Sequence, residues 1–445
     1  MMKYLTTLLA TALLVGMSIL PAAAQDELTL DDCIEIALRM RGTVLQTRGA
    51  EQIAAAGKRS ALGAFLPRVF ASYDYADRKT TDQSREEPVT DSMGIPTGEI
   101  VTTQLADFNS KDKSLSLSAQ MSLLDFSNWF SYASARQAHA AAQLDVIGSE
   151  LDLIYAVKSA YFAYLASDEN VATNEEALKR SEEQLKLIES KYELGSASLS
   201  DVLKQRVQVG NDRIGLLRAQ NLITTSKASL AYTVGLDALR EYRFSTIYVE
   251  KPYSGTLNDA IKEAMENSPV IGSSEHELNA NESAVKAAWS TYLPTLSGSA
   301  RYSKSDGVQL GQFNQKSTTK SIGFSVDWTI FDGFIREENV VRQKVFRNNA
   351  RAALADNTNL IVQNVKTAFL NVALYRQQSD VSEENVKSAT EDLKITQEKY
   401  NLGAATILDL LESQVTLKEA EVQLIGVQFD LKTALADLDR RLGRR

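Results

Sequence analysis

Residues 114–123, SLSLSAQMSL, alternate polar and apolar side chains without a break, the period-two rhythm of a strand with one wet and one dry face. Leu115, Leu117, Ala119, Met121 and Leu123 share one face; Ser114, Ser116, Ser118, Gln120 and Ser122 share the other. The rhythm recurs around Lys320, where Ile322, Phe324, Val326, Trp328 and Ile330 oppose Ser321, Gly323, Ser325, Asp327 and Thr329. It returns more softly from Leu293 to Tyr302 and from Leu66 to Tyr75. The pattern predicts four strands, at about 66–75, 113–123, 293–302 and 320–330, each about 10 residues long, which suffices for a tilted strand to cross hydrocarbon. Pro67 and Pro294 stand at strand beginnings, where a missing amide donor is tolerated.

The rest of the chain has helical periodicity. From Asp125 to Leu194 and from Asp332 to Leu402 there is no proline, which predicts two long helices, about 125–194 and 332–402, each roughly 100 Å long at 1.5 Å per residue. An aspartate at each strand exit is a suitable N-cap. Leu410, Leu417, Leu424, Leu431 and Leu438 recur every seventh residue, as do Val171, Leu178, Leu185 and Tyr192, the seam of a coiled coil. Shorter helices are expected at about 42–64, 199–235, 269–291 and 406–442.

The chain is written twice. KYELGSASLSDVL at 191–203 returns as KYNLGAATILDLL at 399–411, VKSAYF at 157 as VKTAFL at 365, and FLPRVFASYDY at 65 as YLPTLSGSARY at 292. The strand segments are displaced further than the helical ones, which locates an insertion in the first copy between Tyr75 and Lys113. This stretch, 76–112, is rich in Thr, Asp, Ser, Pro and Gly and reads as a loop. The expected organisation is a signal peptide at 1–24, a first repeat at 25–235, an inter-repeat segment at 236–256 and a second repeat at 257–445.

The beginning of the chain changes the picture. Lys3, an apolar run and Ala22-Ala23-Ala24 read as a secretory signal. No later run is apolar enough for a spanning helix, so a membrane span must be built from strands. The alternative is a soluble sheet with its apolar face packed on helices. Export and the aromatics at the strand-to-helix junctions, Phe126, Trp129, Phe130, Trp328, Phe331 and Phe334, favour a membrane barrel with an interfacial girdle facing outer-membrane lipid. Four strands cannot close, and an open edge in lipid leaves backbone groups unpaired. The barrel must then be shared between chains. Two chains would give an interior that side chains fill, whereas the inward serines and glycines are too small to do so. A trimeric 12-stranded β-barrel, four strands per chain, leaves a wet bore.

A net charge of −9 without basic clusters excludes a nucleic-acid surface. Cys33 is the single cysteine; it excludes a disulfide framework and reads as a small buried residue beside Ile34 and Ala37. His139 and His276 have no second ligand at metal spacing and read as solvated helix residues. No phosphate loop, nucleophile elbow or cofactor motif is present, so the expectation is neither an enzyme nor a cofactor-binding protein.

At the KYxLG turns Gly195 and Gly403 are placed for left-handed helix caps. Asp409 and Glu412 follow, three apart and on one helical face. Two readings stand together here. Thr406 with Asp409 and Ser198 with Asp201 both fit capping boxes; alternatively, Asp409 and Glu412 repeated around a threefold axis would form a carboxylate ring favouring cations. Lys204 occupies the place of Glu412 in the first copy.

The duplicated plan, YLPTLSGSARY, IFDGF, AYF and the paired KYxLG turns followed by aspartate together resemble the TolC family of outer-membrane efflux and secretion ducts, over essentially the whole mature chain. The resemblance implies a trimeric barrel continued by a long α-helical coiled-coil tunnel in the periplasm of a Gram-negative bacterium. It assigns part of an equatorial belt to 236–256. It also implies a tripartite efflux pump or type I secretion system, with a periplasmic adaptor (membrane fusion) protein and an inner-membrane efflux or ABC transporter as partners. By motif, Asp409 and Glu412 are the periplasmic gate carboxylates and Tyr400 and Asp201 the latch, so Tyr400→Phe is expected to raise conductance. The turns Tyr192, Leu194, Gly195, Ser196, Leu402, Gly403 and Ala404 would contact the adaptor. Ala405 stands where a second latch carries arginine, which implies a more easily opened tip. The competing reading is a trimeric outer-membrane adhesin or structural coiled-coil protein.

Overall fold

A computed structural model describes residues 27–445 except 82, 105–106, 238, 241, 247–252 and 310–312. The expected signal at 1–24 and part of the 236–256 segment lie outside the described residues. The helices are α1 (Leu30–Met40), α2 (Gly42–Gly63), α3 (Phe126–Glu193), α4 (Leu199–Val234), α5 (Leu257–Asn267), α6 (Pro269–Ser290), α7 (Ile335–Asn401) and α8 (Ile407–Arg441). The strands are β1 (Arg68–Thr80), β2 (Ser84–Thr90), β3 (Pro96–Gln104), β4 (Phe108–Leu124), β5 (Thr295–Gln309) and β6 (Phe313–Asp327). The fold is mainly helical, and α3 and α7 run unbroken for 68 and 67 residues. Two compact units emerge among the described residues: residues 51–142 with 273–354, which hold the six described strands, and the other described residues.

In the strand-bearing unit β1, β4, β5 and β6 form one antiparallel sheet in that order. On its polar face Ser72, Ser116, Ser303 and Thr319 stand in one row, and Asp74, Ser114, Ser305 and Ser317 in the next. The hydroxyls bond across strands: Ser72 to Ser116 at 2.8 Å, Ser297 to Ser325 at 2.8 Å and Ser305 to Ser317 at 2.7 Å. Small side chains that satisfy one another need no packed layer above them. Larger side chains on this face are Phe70 and Arg301, both in the row of Ser118, and Arg68 and Gln120 in the next row.

The strands run longer than the apolar alternation foretells, to 13, 17, 15 and 15 residues for β1, β4, β5 and β6. Beyond Tyr75, Leu115, Tyr302 and Ile322 the positions on the apolar face turn charged, yet the backbone ladder continues, because pairing does not require an apolar face. At its other end β6 stops at Asp327, short of Ile330. Its partner β5 ends at Thr295, after Pro294, which has no amide to donate.

Reading 76–112 as a loop is wrong. β1 and β4 extend into the stretch from either side, and β2 pairs with β3 between them as a separate two-stranded sheet. Its turn is tied by Asp91, whose Oδ1 accepts from the amides of Met93 at 2.9 Å and Ile95 at 3.0 Å, with Gly94 at φ 82°. Thr, Val, Ile and Glu on a sheet exposed on both faces leave no alternating signature, and Pro88 and Pro96 suggest a loop though both are tolerated in an edge ribbon.

The two strand-to-helix junctions differ. Asp125 caps α3 as expected, its Oδ1 accepting from the Ser127 amide at 2.8 Å. Asp332 does not cap α7. Gly333 and Phe334 both adopt positive φ, 70° and 71°, so the helix starts only at Ile335. Asp332 instead pairs with Arg336 at 2.9 Å, and Arg336 also donates to the carbonyls of Thr329 at 2.8 Å and Ile330 at 3.3 Å. These bonds, with the edge-on ring of Phe331, hold Phe334 in a conformation that is unfavourable for a bulky residue.

The histidines are not solvated. His139 is mostly buried, its Nε2 at 2.7 Å from Glu51 and its Nδ1 at 3.3 Å from Lys58, while His276 Nδ1 meets Gln137 Oε1 at 2.7 Å.

In the other unit α1, α3 and α4 enclose a core around Cys33, Ala37, Val157, Tyr161, Leu230 and Val234, closed by Phe244 from the inter-repeat segment. A second core joins α5, α7 and α8 through Ala260, Val365, Ala368 and Leu438. The leucine seam of α8 is buried at Leu410, Leu417 and Leu438. In α3 the heptad Val171, Leu178, Leu185 and Tyr192 is only a flank. The buried line is Asn174, Ala177, Ser181, Gln184 and Ile188, hidden from a hydrophobicity reading by its polar members.

Candidate functional site

Two helical hairpins end the helical unit. Each turn is a Schellman closure: Ser196 N donates to Lys191 O at 2.8 Å and Ala404 N to Lys399 O at 2.8 Å, around Gly195 at φ 76° and Gly403 at φ 74°. Leu194 and Leu402 project from the turns, each 85% exposed. Tyr192, Ser196 and Ala404 are exposed beside them. Behind the turns Ile188, Val202, Ile407 and Leu410 pack with Tyr400 into a small core that joins the hairpins.

Both capping boxes form. Ser198 receives the side chain of Asp201 on its amide at 3.0 Å, and Thr406 that of Asp409 at 2.8 Å. The bonds from the Thr406 amide and hydroxyl hold the Asp409 carboxyl below its usual range. Asp409 and Glu412 are both solvent-exposed on the first turns of α8. Asp201 therefore has its own N-cap as partner, and among the described residues no hydrogen bond joins it to Tyr400. It acts on Tyr400 through its charge: burial first, then Asp201, pushes the phenol above its ordinary value.

The tie between hairpins that the sequence did not disclose is Lys191. Its ammonium lies 4.7 Å from the Tyr400 ring centroid and donates to Asn401 Oδ1 at 3.0 Å. Lys191 belongs to the KYELG motif, but the direction of its side chain depends on how the two hairpins pack. Further along, a buried polar seam separates the helices. Asp212 is nearly enclosed, holds Lys418 at 2.9 Å and accepts from Gln208 at 3.1 Å. Gln205 donates to Ser181 O at 3.0 Å, while Gln184 Nε2, Gln205 Oε1 and Gln414 Oε1 are buried without a partner among the described residues. Polar atoms that regain hydrogen bonds on exposure to water make a seam that opens more readily than an apolar one.

In the strand-bearing unit the aromatics gather where strands meet helices. Trp129 is 62% exposed and edge-on to Phe65 at 5.2 Å; Phe126, Trp328, Phe331 and Phe334 are exposed and Phe130 half-buried. Trp328 donates to Tyr292 O at 3.1 Å, and Trp289 stacks on Tyr292 at 5.5 Å. Phe65, Trp289 and Tyr292 extend the cluster beyond the residues the sequence singled out; they lie at the strand ends on α6 and the turns, where aromatic content alone would have found them. Among the described residues no group of His, Cys, Asp and Glu is placed to hold a metal ion, and no helix is long and apolar enough to cross a membrane.

The family model described as outer membrane efflux protein matches residues 34–236 and 260–444. The chain belongs to this family. It is 22% identical to the outer membrane protein TolC of Escherichia coli (strain K12), over 75% of this chain and 71% of TolC. It is also 22% identical to the probable efflux pump outer membrane protein TtgC of Pseudomonas putida, over 70% of this chain and 63% of TtgC. The outer membrane protein VceC of Vibrio cholerae has the same fold, with a TM-score of 0.77, 19% identity and coverage of 93% of this chain and 96% of VceC. As a family member the chain is an outer-membrane efflux channel of a Gram-negative bacterium, which sets aside the adhesin reading.

Proposed function

We propose that three copies of this chain form a 12-stranded barrel continued by a helical tunnel, a passive exit duct opened at its hairpin turns by a periplasmic adaptor and an inner-membrane transporter of the efflux or type I secretion class. The observation that carries this reading is the edge of the apolar band on the outward face of the sheet. Its first charged residues are Asp77 on β1, Lys113 on β4, Lys304 on β5 and Lys320 on β6. Asp77 lies opposite Lys111, Lys304 opposite Leu115, and Lys320 opposite Tyr302, which faces Leu117. Referred to β4, the edge thus falls at positions 111, 113, 115 and 117, advancing two residues at every strand. With about 3.3 Å per residue and about 4.8 Å between strands, a level edge of this kind requires strands tilted by roughly 55°. A soluble sheet has no reason to keep such a line; a barrel crossing a flat membrane must. Both outer strands, β1 and β6, leave an edge unpaired, which further copies would cover.

At the turns Lys191, Tyr400 and Asn401 tie the hairpins, with Asp201 acting through its charge, and Asp409 and Glu412 ring the bore. The exposed turn leucines meet the adaptor. The mass of the detergent-solubilised particle tests the assembly: three chains are expected, and a lone chain that conducts in a planar bilayer would overturn it. In the same bilayer, Asp409→Asn with Glu412→Gln should lower cation preference; unchanged selectivity would remove both from the bore.

A further inference from the structure

A membrane belt alone accounts neither for a hollow in the outward face of the sheet nor for the lysines beside it. Ala119 and Ala300 stand opposite each other on β4 and β5, flanked in register by Val69 and Ile322. In the adjoining row Leu117 faces Tyr302, and Tyr302 faces Lys320. Two methyl side chains between bulkier neighbours sink the surface, leaving a groove of about 510 Å³, an apolar trough with Lys320 among its lining residues.

The lysines continue along the same edge. Lys111 and Lys316 lie 3.7 Å from Asp77 and Asp306, whereas Lys113, Lys304 and Lys320 make no ion pair among the described residues and are exposed. All three follow directly on the apolar band, on the face that the proposed barrel turns to lipid. Exposed ammonium groups at a membrane surface are drawn to anionic headgroups; Lys113 has the carboxylate of Asp306 across from it, whereas Lys304 and Lys320 face no acidic residue in register. The three lysines mark the edge of the apolar band remote from α3, which starts at Phe126 just after β4 ends at Leu124. With the helices on the periplasmic side, that is the outer leaflet, where Gram-negative membranes carry a phosphorylated, multiply acylated glycolipid.

We propose that this face binds such a glycolipid, an acyl chain lying in the groove over Ala119 and Ala300 and a phosphate held by Lys320, with Lys304 and Lys113 engaging the headgroup. The inference rests on the barrel reading above. Trough and cations meet the two halves of one amphiphile: the apolar walls take the chain, and the neighbouring lysines neutralise the phosphate.

The test is lipid retention by the full-length, detergent-purified protein, read by native mass spectrometry after incubation with bis-phosphorylated lipid A, the same lipid enzymatically dephosphorylated, or phosphatidylethanolamine. The wild type should retain the phosphorylated lipid above the other two. Replacing Lys113, Lys304 and Lys320 by glutamine should weaken retention roughly fivefold for each lysine removed. Ala119→Phe with Ala300→Phe, which fills the groove and spares the lysines, should also lower it. Equal retention of phosphorylated and dephosphorylated lipid, or undiminished retention by the triple variant, overturns the proposal. Planar-bilayer conductance of each preparation separates the two levels: channels with lysine-independent retention defeat the lipid site alone, and a wild type that forms no channel defeats it together with the barrel.

Discussion

Lys191 holds its ammonium over the ring of Tyr400, 4.7 Å from the centroid, so that one hairpin grips the other through an aromatic face. We propose that the ring, rather than the phenol hydroxyl, carries the tie at this position. Tyr400→Phe keeps the ring and should leave conductance in planar bilayers close to wild type. Lys191→Gln and Tyr400→Ala each remove a cation–π contact of about 0.5–1 kcal/mol and should raise the open fraction several-fold. A conducting Tyr400→Phe beside a silent Lys191→Gln would return the latch to the hydroxyl and Asp201.

Much of this is legible in the sequence. Alternation in SLSLSAQMSL marked the face of a strand, the KYxLG pair marked both turns, and Ser198 and Thr406 announced their caps, because each of these signals is local in sequence. What escaped was non-local or balanced. Lys191 finds Tyr400 only once the hairpins pack; Gln184, Gln205 and Asp212 occupy buried positions that a hydrophobic heptad assigns to leucine. The β2–β3 ribbon, exposed on both faces, had no alternation to display. Asp332 has the type and place of a cap, but the left-handed conformations of Gly333 and Phe334 delay the helix.

The pair formed by Asp212 and Lys418 predicts an asymmetry in stability. The Asp212 side chain is 5% exposed and that of Lys418 22% exposed, so their charges are largely withdrawn from water. Lys418→Met strands a buried carboxylate and should destabilise the fold by about 3–5 kcal/mol. Replacing both by leucine should recover most of that loss. Thermal unfolding followed by circular dichroism measures both; equal midpoints for the single variant and wild type would show Asp212 to be rescued by water. Gly215 belongs to the same site: a Cβ there would meet Asn174 Oδ1 and Lys418 Nζ, each at 2.9 Å, so Gly215→Ala should weaken the pair while slightly favouring the helix.

The β2–β3 ribbon shares no ladder with the larger sheet. Replacing residues 83–105 by a short Gly-Ser turn between β1 and β4 should leave the four-stranded sheet, membrane insertion and detergent-stable assembly intact, since register there is set by thirteen β1–β4 pairs ending at Thr80 and Phe108. The second repeat already joins β5 to β6 over a much shorter span. Insertion is checked by outer-membrane fractionation, and assembly by particle mass. Loss of either would mean that the ribbon contributes to the proposed barrel itself.

Cys33 offers a probe of the core around α1. Its thiol is completely buried, and burial, aided by the negative charge of Asp32, pushes it up to about 12. A pKa raised on folding means that the neutral thiol is favoured by the fold: this contribution is complete below the ordinary value of 9.0 and is lost as pH climbs through about 12. The thiolate, which is the reactive form, is therefore scarce and shielded at pH 8. An aromatic disulfide reagent should label the native protein negligibly at that pH and stoichiometrically in denaturant. Cys33→Ser places a hydroxyl among Ala37, Val157 and Tyr161 and should lower the unfolding midpoint, whereas Cys33→Ala should lower it less. Rapid labelling of the folded protein would mean that α1 detaches from α3 and α4 on the timescale of the reaction.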